Sequence, residues 1–201
     1  MKFVKTFALV AAAAIVPALA SSQQFTGSHK LGALSTPEVL DNTGLFQAKF
    51  ARVGDDVFLA GQPTEKGLRE AHDRGVKVVV NLRSPSEMKN IPFDEAALVA
   101  QLGMKYVYLP VRGDEQFPYT PETVTKFAEA LRNADGKVLL HCTVAWRASH
   151  LWAAYLIKER GIPVETALAN ARAINLMDDH HMAGSLPVED FLGAKLSTFK
   201  Q

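Results

Sequence analysis

The hydrophobic pattern of the chain alternates between short apolar runs and longer segments with helical spacing. The apolar runs predict strands at residues 57–60, 76–82, 105–109 and 138–140. The run at 76–82 shows little alternation, which is typical of a strand buried on both faces. The segments between and after these runs predict helices at 64–74, 92–102, 121–134 and 148–160, with two more after residue 163. We therefore predict an α/β fold with a mainly parallel central sheet covered by helices on both faces.

The ends of the predicted strands indicate where a ligand binds. Residues 50–53 and 57–60 flank Gly54-Asp55-Asp56 and form a predicted hairpin. In open α/β sheets, ligands sit at the carboxyl ends of the parallel strands. Four segments meet at that edge, namely the turn at Gly61 and the loops that follow Leu82, Leu109 and Leu140. The last of these loops carries the residues with the clearest chemistry.

That loop starts with His141 and Cys142, and Arg147 follows at the start of a helical pattern. Free N–H groups of a loop and of a helix start can surround an anion, and arginine adds bidentate donors and a fixed charge. These groups favour the thiolate, which is the nucleophilic form of cysteine. We predict Cys142 as the nucleophile, Arg147 as the anion ligand and His141 as a support that hydrogen-bonds the cysteine without a proton role. The predicted substrate cradle consists of Thr143, Val144, Ala145 and Trp146.

A hydrolysis through Cys142 also needs a group that protonates the leaving oxygen. Asp114 lies in the loop after the strand at 105–109, which runs to the same edge of the sheet, and is the predicted general acid. Glu115 is the second candidate. The competing interpretation is that Asp114 is a solvated turn residue next to Gly113.

The N-terminus has the features of a secretory signal peptide. Lys2 and Lys5 precede an apolar stretch at 7–16, and Ala18-Leu19-Ala20 is a cleavage site of the small-x-small type. We expect cleavage after Ala20 and a periplasmic or secreted protein. The predicted organisation is a signal peptide at 1–20, a leader arm at 21–45 with a helical turn near 37–40, and a catalytic domain at 46–201.

Composition and charge narrow the choice of partners. The chain of 201 residues has 22 basic and 21 acidic side chains, and cleavage removes two lysines, which leaves a net charge of −1. Near-neutral charge argues against nucleic acid as a partner, and no membrane association is expected after cleavage. The single cysteine cannot form an intramolecular disulfide. We expect no cofactor and no metal ion, and we interpret Asp178-Asp179-His180-His181 as a solvated loop.

The cysteine motif resembles that of the cysteine-dependent protein-tyrosine and dual-specificity phosphatases. Phe58-Leu-Ala-Gly-Gln-Pro63, and Gly75 to Arg83 with Glu87 beyond, resemble the beta-lactamase-hydrolase-like phosphatase domain. This resemblance spans roughly residues 50–176. It implies a phosphatase-type fold and hydrolysis of a phosphorylated small molecule or phosphoprotein through a thiophosphoryl enzyme. It also implies that Ser149 reaches back to the thiolate and binds substrate.

The spacing of the motif departs from that resemblance. Four residues separate Cys142 from Arg147, where the phosphatases usually have five, and Ala145 stands where a glycine is common. The shorter spacing resembles the loop of rhodanese-type sulfurtransferases, and a smaller ring of N–H groups suits a sulfane sulfur better than a tetrahedral phosphate. Two alternatives therefore stay open, a sulfurtransferase or persulfide carrier that uses the same cysteine, and a non-catalytic module that binds an oxyanion or a phosphopeptide.

Overall fold

The computed structural model describes residues 34–177 and 186–199. The predicted signal peptide, most of the leader arm and the loop at 178–181 lie outside these residues. Within the described part of the chain, no helix combines the length and the apolar character that crossing a membrane requires.

Six strands form one sheet in the order β1-β2-β3-β6-β4-β5. Strands β3, β6, β4 and β5 are parallel, and β1 and β2 add two antiparallel strands at one edge. The predicted hairpin is confirmed as β2 and β3. The bounds are Glu38–Val39 (β1), Phe50–Val53 (β2), Val57–Ala60 (β3), Val76–Asn81 (β4), Lys105–Tyr108 (β5) and Lys137–His141 (β6).

Helices cover both faces of this sheet, as the alternation of strands and helices predicted. One core cluster joins the sheet to α1 and α3, and the other joins its opposite face to α4, α5, α6 and α7. The helices are Glu65–Asp73 (α1), Pro85–Met88 (α2), Glu95–Gln101 (α3), Pro121–Arg132 (α4), Trp146–Arg160 (α5), Val164–Arg172 (α6) and Pro187–Leu192 (α7). The fully buried Trp152 on α5 lies in the second of these cores and donates a hydrogen bond of 2.9 Å to Asn170.

Local capping explains where several helices begin. The Thr64 side chain accepts a hydrogen bond from the Gly67 N–H at the start of α1, and the Thr120 side chain caps α4, whose first residue is Pro121. Both starts were predicted from the sequence. The helix predicted at 92–102 begins only at Glu95, because Asp94 caps it by accepting from the Ala97 N–H.

Two predicted elements were wrong. Residues 38–39 form strand β1 instead of a helical turn, since they pair with β2 and Arg52 makes a 2.6 Å ion pair with Glu38. The helical spacing of Val188, Phe191, Leu192 and Leu196 in the sequence predicts a last helix with Leu196 on its inner face, but α7 ends at Leu192. Gly193 follows with φ +66°, a left-handed conformation that ends a helix, and Leu196 lies in a separate 3-10 turn.

The short helix α2 was missed. Its start carries the sequence Ser84-Pro85-Ser86-Glu87, in which the Glu87 carboxylate accepts a 2.8 Å hydrogen bond from the Ser84 N–H. Ser84 and Glu87 thus form a capping box, whose Ser-x-x-Glu pattern is visible in the sequence. It matters for function, because α2 brings Glu87 to the carboxyl edge of the sheet.

Candidate active site

The segment 142–147, called here the cysteine loop, leaves the carboxyl end of β6 and leads into α5. Strand β6 lies between β3 and β4, so the loop starts at the centre of the sheet edge. In the strand register, His141 lies between Ala60 of β3 and Asn81 of β4. The turn at Gly61 and the loops after Leu82 and Leu109 all contact this region, as their positions after the strands predicted.

Two backbone carbonyls of the cysteine loop accept hydrogen bonds from residues outside the loop. The Thr143 carbonyl accepts from the Gln62 N–H at 2.9 Å, and the Val144 carbonyl accepts from the Asn175 side chain at 2.6 Å. Since the C=O and N–H of a trans peptide point in opposite directions, the Val144 N–H points away from Gln62. Ala145 adopts φ +68°, the left-handed conformation that explains why glycine is common at this position.

Gly61 permits the close approach between β3 and the cysteine loop. A Cβ atom at this position would overlap the backbone carbonyl of Gln47 and would lie 2.8 Å from the Thr143 carbonyl oxygen. Any side chain at residue 61 would therefore push the cysteine loop away from the sheet edge.

Arg147 is buried beneath the cleft and is only 8% exposed. Its Nη1 donates to the backbone carbonyls of Val111 at 2.7 Å and Leu82 at 3.3 Å, and to Glu87 at 2.9 Å. Its Nη2 donates to the other oxygen of Glu87 at 2.5 Å and to the Thr143 hydroxyl at 3.0 Å. Protein groups thus engage both terminal nitrogens of the guanidinium.

Glu87 is ionised in this arrangement. Burial alone would raise its pKa, but hydrogen bonds from Arg147, Thr143 and the Ser84 backbone lower the pKa to about 2. Burial would likewise lower the pKa of Arg147, but the Glu87 bond and the nearby charges of Cys142 and Glu87 raise it.

An open cleft of about 750 Å³ lies above this group. Its lining residues are Ser86, Glu87, Asn90, Arg112, Tyr119, Val144, Trp146, Arg147 and Met177. Three predicted site residues therefore border the cleft, namely Val144, Trp146 and Arg147. Cys142 is only 1% exposed and lies at the base of the loop. Burial raises the pKa of Tyr119 to about 12, and the charges of Arg147 and Cys142 also act on its hydroxyl.

Asp114 lies away from the lining of the cleft. Its side chain is 45% exposed, lies 3.4 Å from the Arg112 guanidinium and accepts a 2.8 Å hydrogen bond from the Phe117 N–H. This is the environment of a turn residue, and the role of Asp114 as general acid stays a prediction. The Ser149 hydroxyl donates to the Ala145 carbonyl at 2.8 Å, so its contact with the thiolate also stays a prediction.

The predicted hydrogen bonds of His141 to the cysteine were wrong. Its Nε2 lies 2.9 Å from the Glu95 carboxylate, and its Nδ1 has no hydrogen-bond partner among the described residues. Both side chains are fully buried. The reason is the position of α3, whose first residue, Glu95, points into the space below the end of β6.

Two functional candidates were missed by the sequence interpretation, Glu87 and Glu95. In the sequence Glu87 stands out only through the resemblance to a known domain. In the structure it lies 3.8 Å from Arg83, but its main partner is Arg147. Glu95 precedes Leu98 and Val99 on the buried face of α3. An acidic residue at a core position was the signal that could have identified it.

Within residues 34–177 and 186–199, no group of three or more His, Cys, Asp or Glu side chains is arranged to hold a metal ion. The predicted Asp-His loop at 178–181 is not among these residues.

Comparison with known proteins identifies the family. Residues 48–187 match the family model described as a DSP-PTPase phosphatase fused to NAD+ kinase. The chain belongs to this family. The match covers β2 to β6, the cysteine loop and helices α1 to α6, and it confirms the resemblance to dual-specificity phosphatases inferred from the motifs.

Solved structures agree with this assignment. The "putative phosphatase (DUF442)" of Shewanella putrefaciens CN-32 is 28% identical, with a TM-score of 0.58 over 80% of this chain and 97% of that chain. A second structure of the same description is 32% identical, with a TM-score of 0.53 over 64% of this chain and 80% of that one. TpbA of P. aeruginosa, 18% identical with a TM-score of 0.59 over 83% of this chain and 94% of that chain, shares the fold.

Curated relatives include longer proteins. The beta-lactamase hydrolase-like protein of Xylella fastidiosa (strain Temecula1) is 29% identical over 107 residues, which are 52% of this chain and 24% of that protein. That of Agrobacterium fabrum is 27% identical over 106 residues, with the same coverage. The chain thus spans about a quarter of the length of the curated relatives it matches.

Proposed function

We propose that the protein is an exported cysteine-dependent phosphatase that hydrolyses phosphomonoesters. In the first step the Cys142 thiolate attacks phosphorus, the S–P bond forms and the ester P–O bond breaks. The leaving oxygen takes a proton, for which Asp114 is the proposed donor. In the second step water attacks the thiophosphoryl enzyme, which releases phosphate and restores the thiolate.

The juxtaposition of Cys142 and Arg147 at one strand end carries this proposal. Cys142 begins the loop at the end of β6, Arg147 lies in the first turn of α5, and Arg147 donates a hydrogen bond to the Thr143 hydroxyl in the loop between them. The N–H groups in the first turn of a helix have no intrahelical acceptor and carry a partial positive charge. These donors can stabilise the extra negative charge that develops on the phosphoryl oxygens. Membership of a phosphatase family supports the same chemistry.

The cleft above the loop supports a substrate of moderate size. It is wide, and aromatic side chains from Tyr119 and Trp146 border it. Arg112 at its edge is 58% exposed and is the cation through which we propose an anionic substrate is attracted. A phosphorylated small molecule or the side chain of a phosphoprotein would meet these conditions.

The test is hydrolysis of an aryl phosphate by the purified protein and its variants. Cys142→Ser is expected to abolish turnover, and Asp114→Asn to lower kcat about 100-fold or more if Asp114 is the acid. Glu115→Gln, at the second candidate for the acid, is expected to retain activity, and a loss of activity in Glu115→Gln alone would assign the role of acid to Glu115. Turnover that survives in Cys142→Ser would overturn the mechanism, and an unaffected Asp114→Asn variant would remove Asp114 from it.

One observation favours a second candidate, a sulfurtransferase or persulfide carrier. Both terminal nitrogens of Arg147 already bond to Glu87, Thr143 and backbone carbonyls, and the cysteine loop has one residue fewer than is usual in phosphatases. In this reaction the Cys142 thiolate would attack the outer sulfur of thiosulfate, and sulfite would leave. Cyanide would then remove the sulfur as thiocyanate.

This alternative predicts a different response of the same variants. Wild-type protein treated with thiosulfate should gain the mass of one sulfur atom on Cys142, and thiocyanate should form when cyanide is added. Asp114→Asn should not matter, since no alkoxide leaves. A protein that turns over neither substrate but binds phosphate would instead be a non-catalytic oxyanion-binding module.

A further inference from the structure

Glu95 lies at the centre of a buried polar cluster beneath the cysteine loop. It is 1% exposed. One carboxylate oxygen lies 2.6 Å from Gln62 Nε2, and the other lies 3.1 Å from Asn81 Nδ2 and 2.9 Å from His141 Nε2. The nearby Tyr106 hydroxyl also lowers the pKa of the carboxyl group. No step of the proposed reaction uses this group directly.

Arg83 fixes the orientation of both amides. Its guanidinium donates to Gln62 Oε1 at 2.5 Å, and its backbone N–H donates to Asn81 Oδ1 at 2.7 Å. Because arginine and backbone N–H groups only donate, each amide must turn its NH₂ group toward Glu95. The carboxylate is therefore surrounded by donors, which favour its ionised form.

The charge of Glu95 needs a buried cation. An ionised carboxylate without one is strongly unfavourable in a protein interior. Arg83 reaches Glu95 only through Gln62, and Tyr106 is neutral because burial and the Glu95 charge raise its pKa. His141 is the group in direct contact that can carry the positive charge. Burial alone would raise the pKa of Glu95, but the charge and hydrogen bond of His141 lower it.

We propose that Glu95 is a positioning residue for the nucleophile. Its carboxylate holds His141, the residue directly before Cys142, as an imidazolium, and this positive charge favours the Cys142 thiolate. The proposal rests on Cys142 as the nucleophile of the proposed function, whichever of the two chemistries the protein performs. The other charged or titratable groups around this cluster are Arg83 after β4, Glu87 on α2, and Tyr106 and Tyr108 on β5.

The direction in which Glu95→Gln shifts the balance between the Cys142 thiol and thiolate distinguishes this proposal from a direct effect of the Glu95 charge. Glu95→Gln keeps an oxygen acceptor for His141 Nε2 and removes the negative charge. If Glu95 acted on Cys142 only through its own charge, its removal would favour the thiolate. Under the proposal the opposite occurs, because His141 loses its charge together with Glu95.

The experiment measures the rate of Cys142 alkylation by iodoacetamide against pH, which requires no substrate and no turnover. We expect the profile of Glu95→Gln to move to higher pH, by less than the roughly 1 to 3 units that the loss of one nearby opposite charge would produce, because the loss of the Glu95 charge acts in the other direction. Glu87→Gln is the matched control, since it removes a carboxylate next to Arg147, and its profile should stay in place or move to lower pH. A Glu95→Gln profile that stays in place or moves to lower pH would overturn the proposal.

Two further measurements test whether the effect of Glu95 on Cys142 is transmitted through His141. In a His141→Gln background, Glu95→Gln should produce no additional movement of the profile, and an undiminished effect there would refute transmission through His141. Should Glu95→Gln fail to fold, ¹⁵N NMR of the imidazole in the wild-type chain decides the question. A doubly protonated His141 ring at neutral pH supports the proposal, and a neutral ring overturns it.

Discussion

Glu87→Gln is expected to show how much the Glu87–Arg147 pair stabilises the fold. The Glu87 side chain is 25% exposed, and its pKa falls from the usual 4.5 to about 2. At about 1.4 kcal/mol per pKa unit, the contacts of Arg147, Thr143 and the Ser84 backbone with the ionised carboxylate together contribute about 3 kcal/mol at neutral pH. Removing the carboxylate also leaves the Arg147 charge buried without its partner, so a loss of about 3–5 kcal/mol is expected at pH 7.

The pH dependence gives the decisive measurement. Because the folded-state pKa is lowered, the stabilisation is complete well above pH 4.5 and is lost as the pH falls toward 2. The free energies of unfolding of wild type and Glu87→Gln should therefore approach each other by about 2 kcal/mol between pH 7 and pH 3. Urea unfolding followed by tryptophan fluorescence at several pH values measures this difference. The contributions of the other carboxylates to the pH dependence are the same in both proteins and cancel in the difference.

A control variant addresses the general effect of removing a carboxylate. Glu70 pairs with Arg74 on the surface of α1 at 2.8 Å, and Glu70→Gln should cost less than about 1 kcal/mol, since exposed pairs contribute little. If the free energies of unfolding of wild type and Glu87→Gln differ by the same amount at every pH from 7 to 3, the reasoning about Glu87 is refuted.

Three other predictions concern the cysteine loop. Gly61→Ala should lower the free energy of unfolding by about 3 kcal/mol or more and reduce turnover, because the added methyl group overlaps the Gln47 backbone carbonyl and meets the Thr143 carbonyl. Ala145→Gly should leave stability within about 1 kcal/mol of wild type, since relief of the left-handed strain offsets the lost methyl group and the freer unfolded chain. Ala153→Gly inside α5 is its control and should cost about 2 kcal/mol; equal losses would contradict the argument. Phosphate or thiosulfate at about 100 times its Kd should stabilise the protein by about 2.7 kcal/mol, measured as a rise in Tm.

Much of the fold follows from patterns that are local in sequence. Apolar runs located β3 to β6, and Thr64, Thr120 and Pro121 marked helix starts, because capping and apolar periodicity depend on a few neighbouring residues. Strand β1 could not be found in this way. Two residues have no periodicity, and their conformation depends on pairing with β2.

The candidate site was only partly predictable for the same reason. Cys142 and Arg147 belong to one continuous motif, and the topology placed that motif at the correct edge of the sheet. Glu87 and Glu95 are distant from the motif in sequence and meet it only through the packing of α2 and α3. The partners of a buried arginine or histidine depend on tertiary structure, and a single sequence contains no direct record of them.

The start of α5 relates the stability of the fold to its chemistry. The residues that cap the N-termini of α1, α3 and α4 each have a side chain that accepts a backbone hydrogen bond. The N-cap residue of α5 is Ala145, whose side chain cannot accept one. The caps of α6 and α7 also lack such a side chain, but they lie at exposed or half-buried residues within reach of water. Ala145 is fully buried. A missing cap costs about 0.5–2 kcal/mol, and an oxyanion held at the helix start would supply the missing acceptor. In the proposed reaction the same N–H groups would stabilise the charge that develops on the substrate, so α5 lacks a side-chain cap where the proposed function needs free donors.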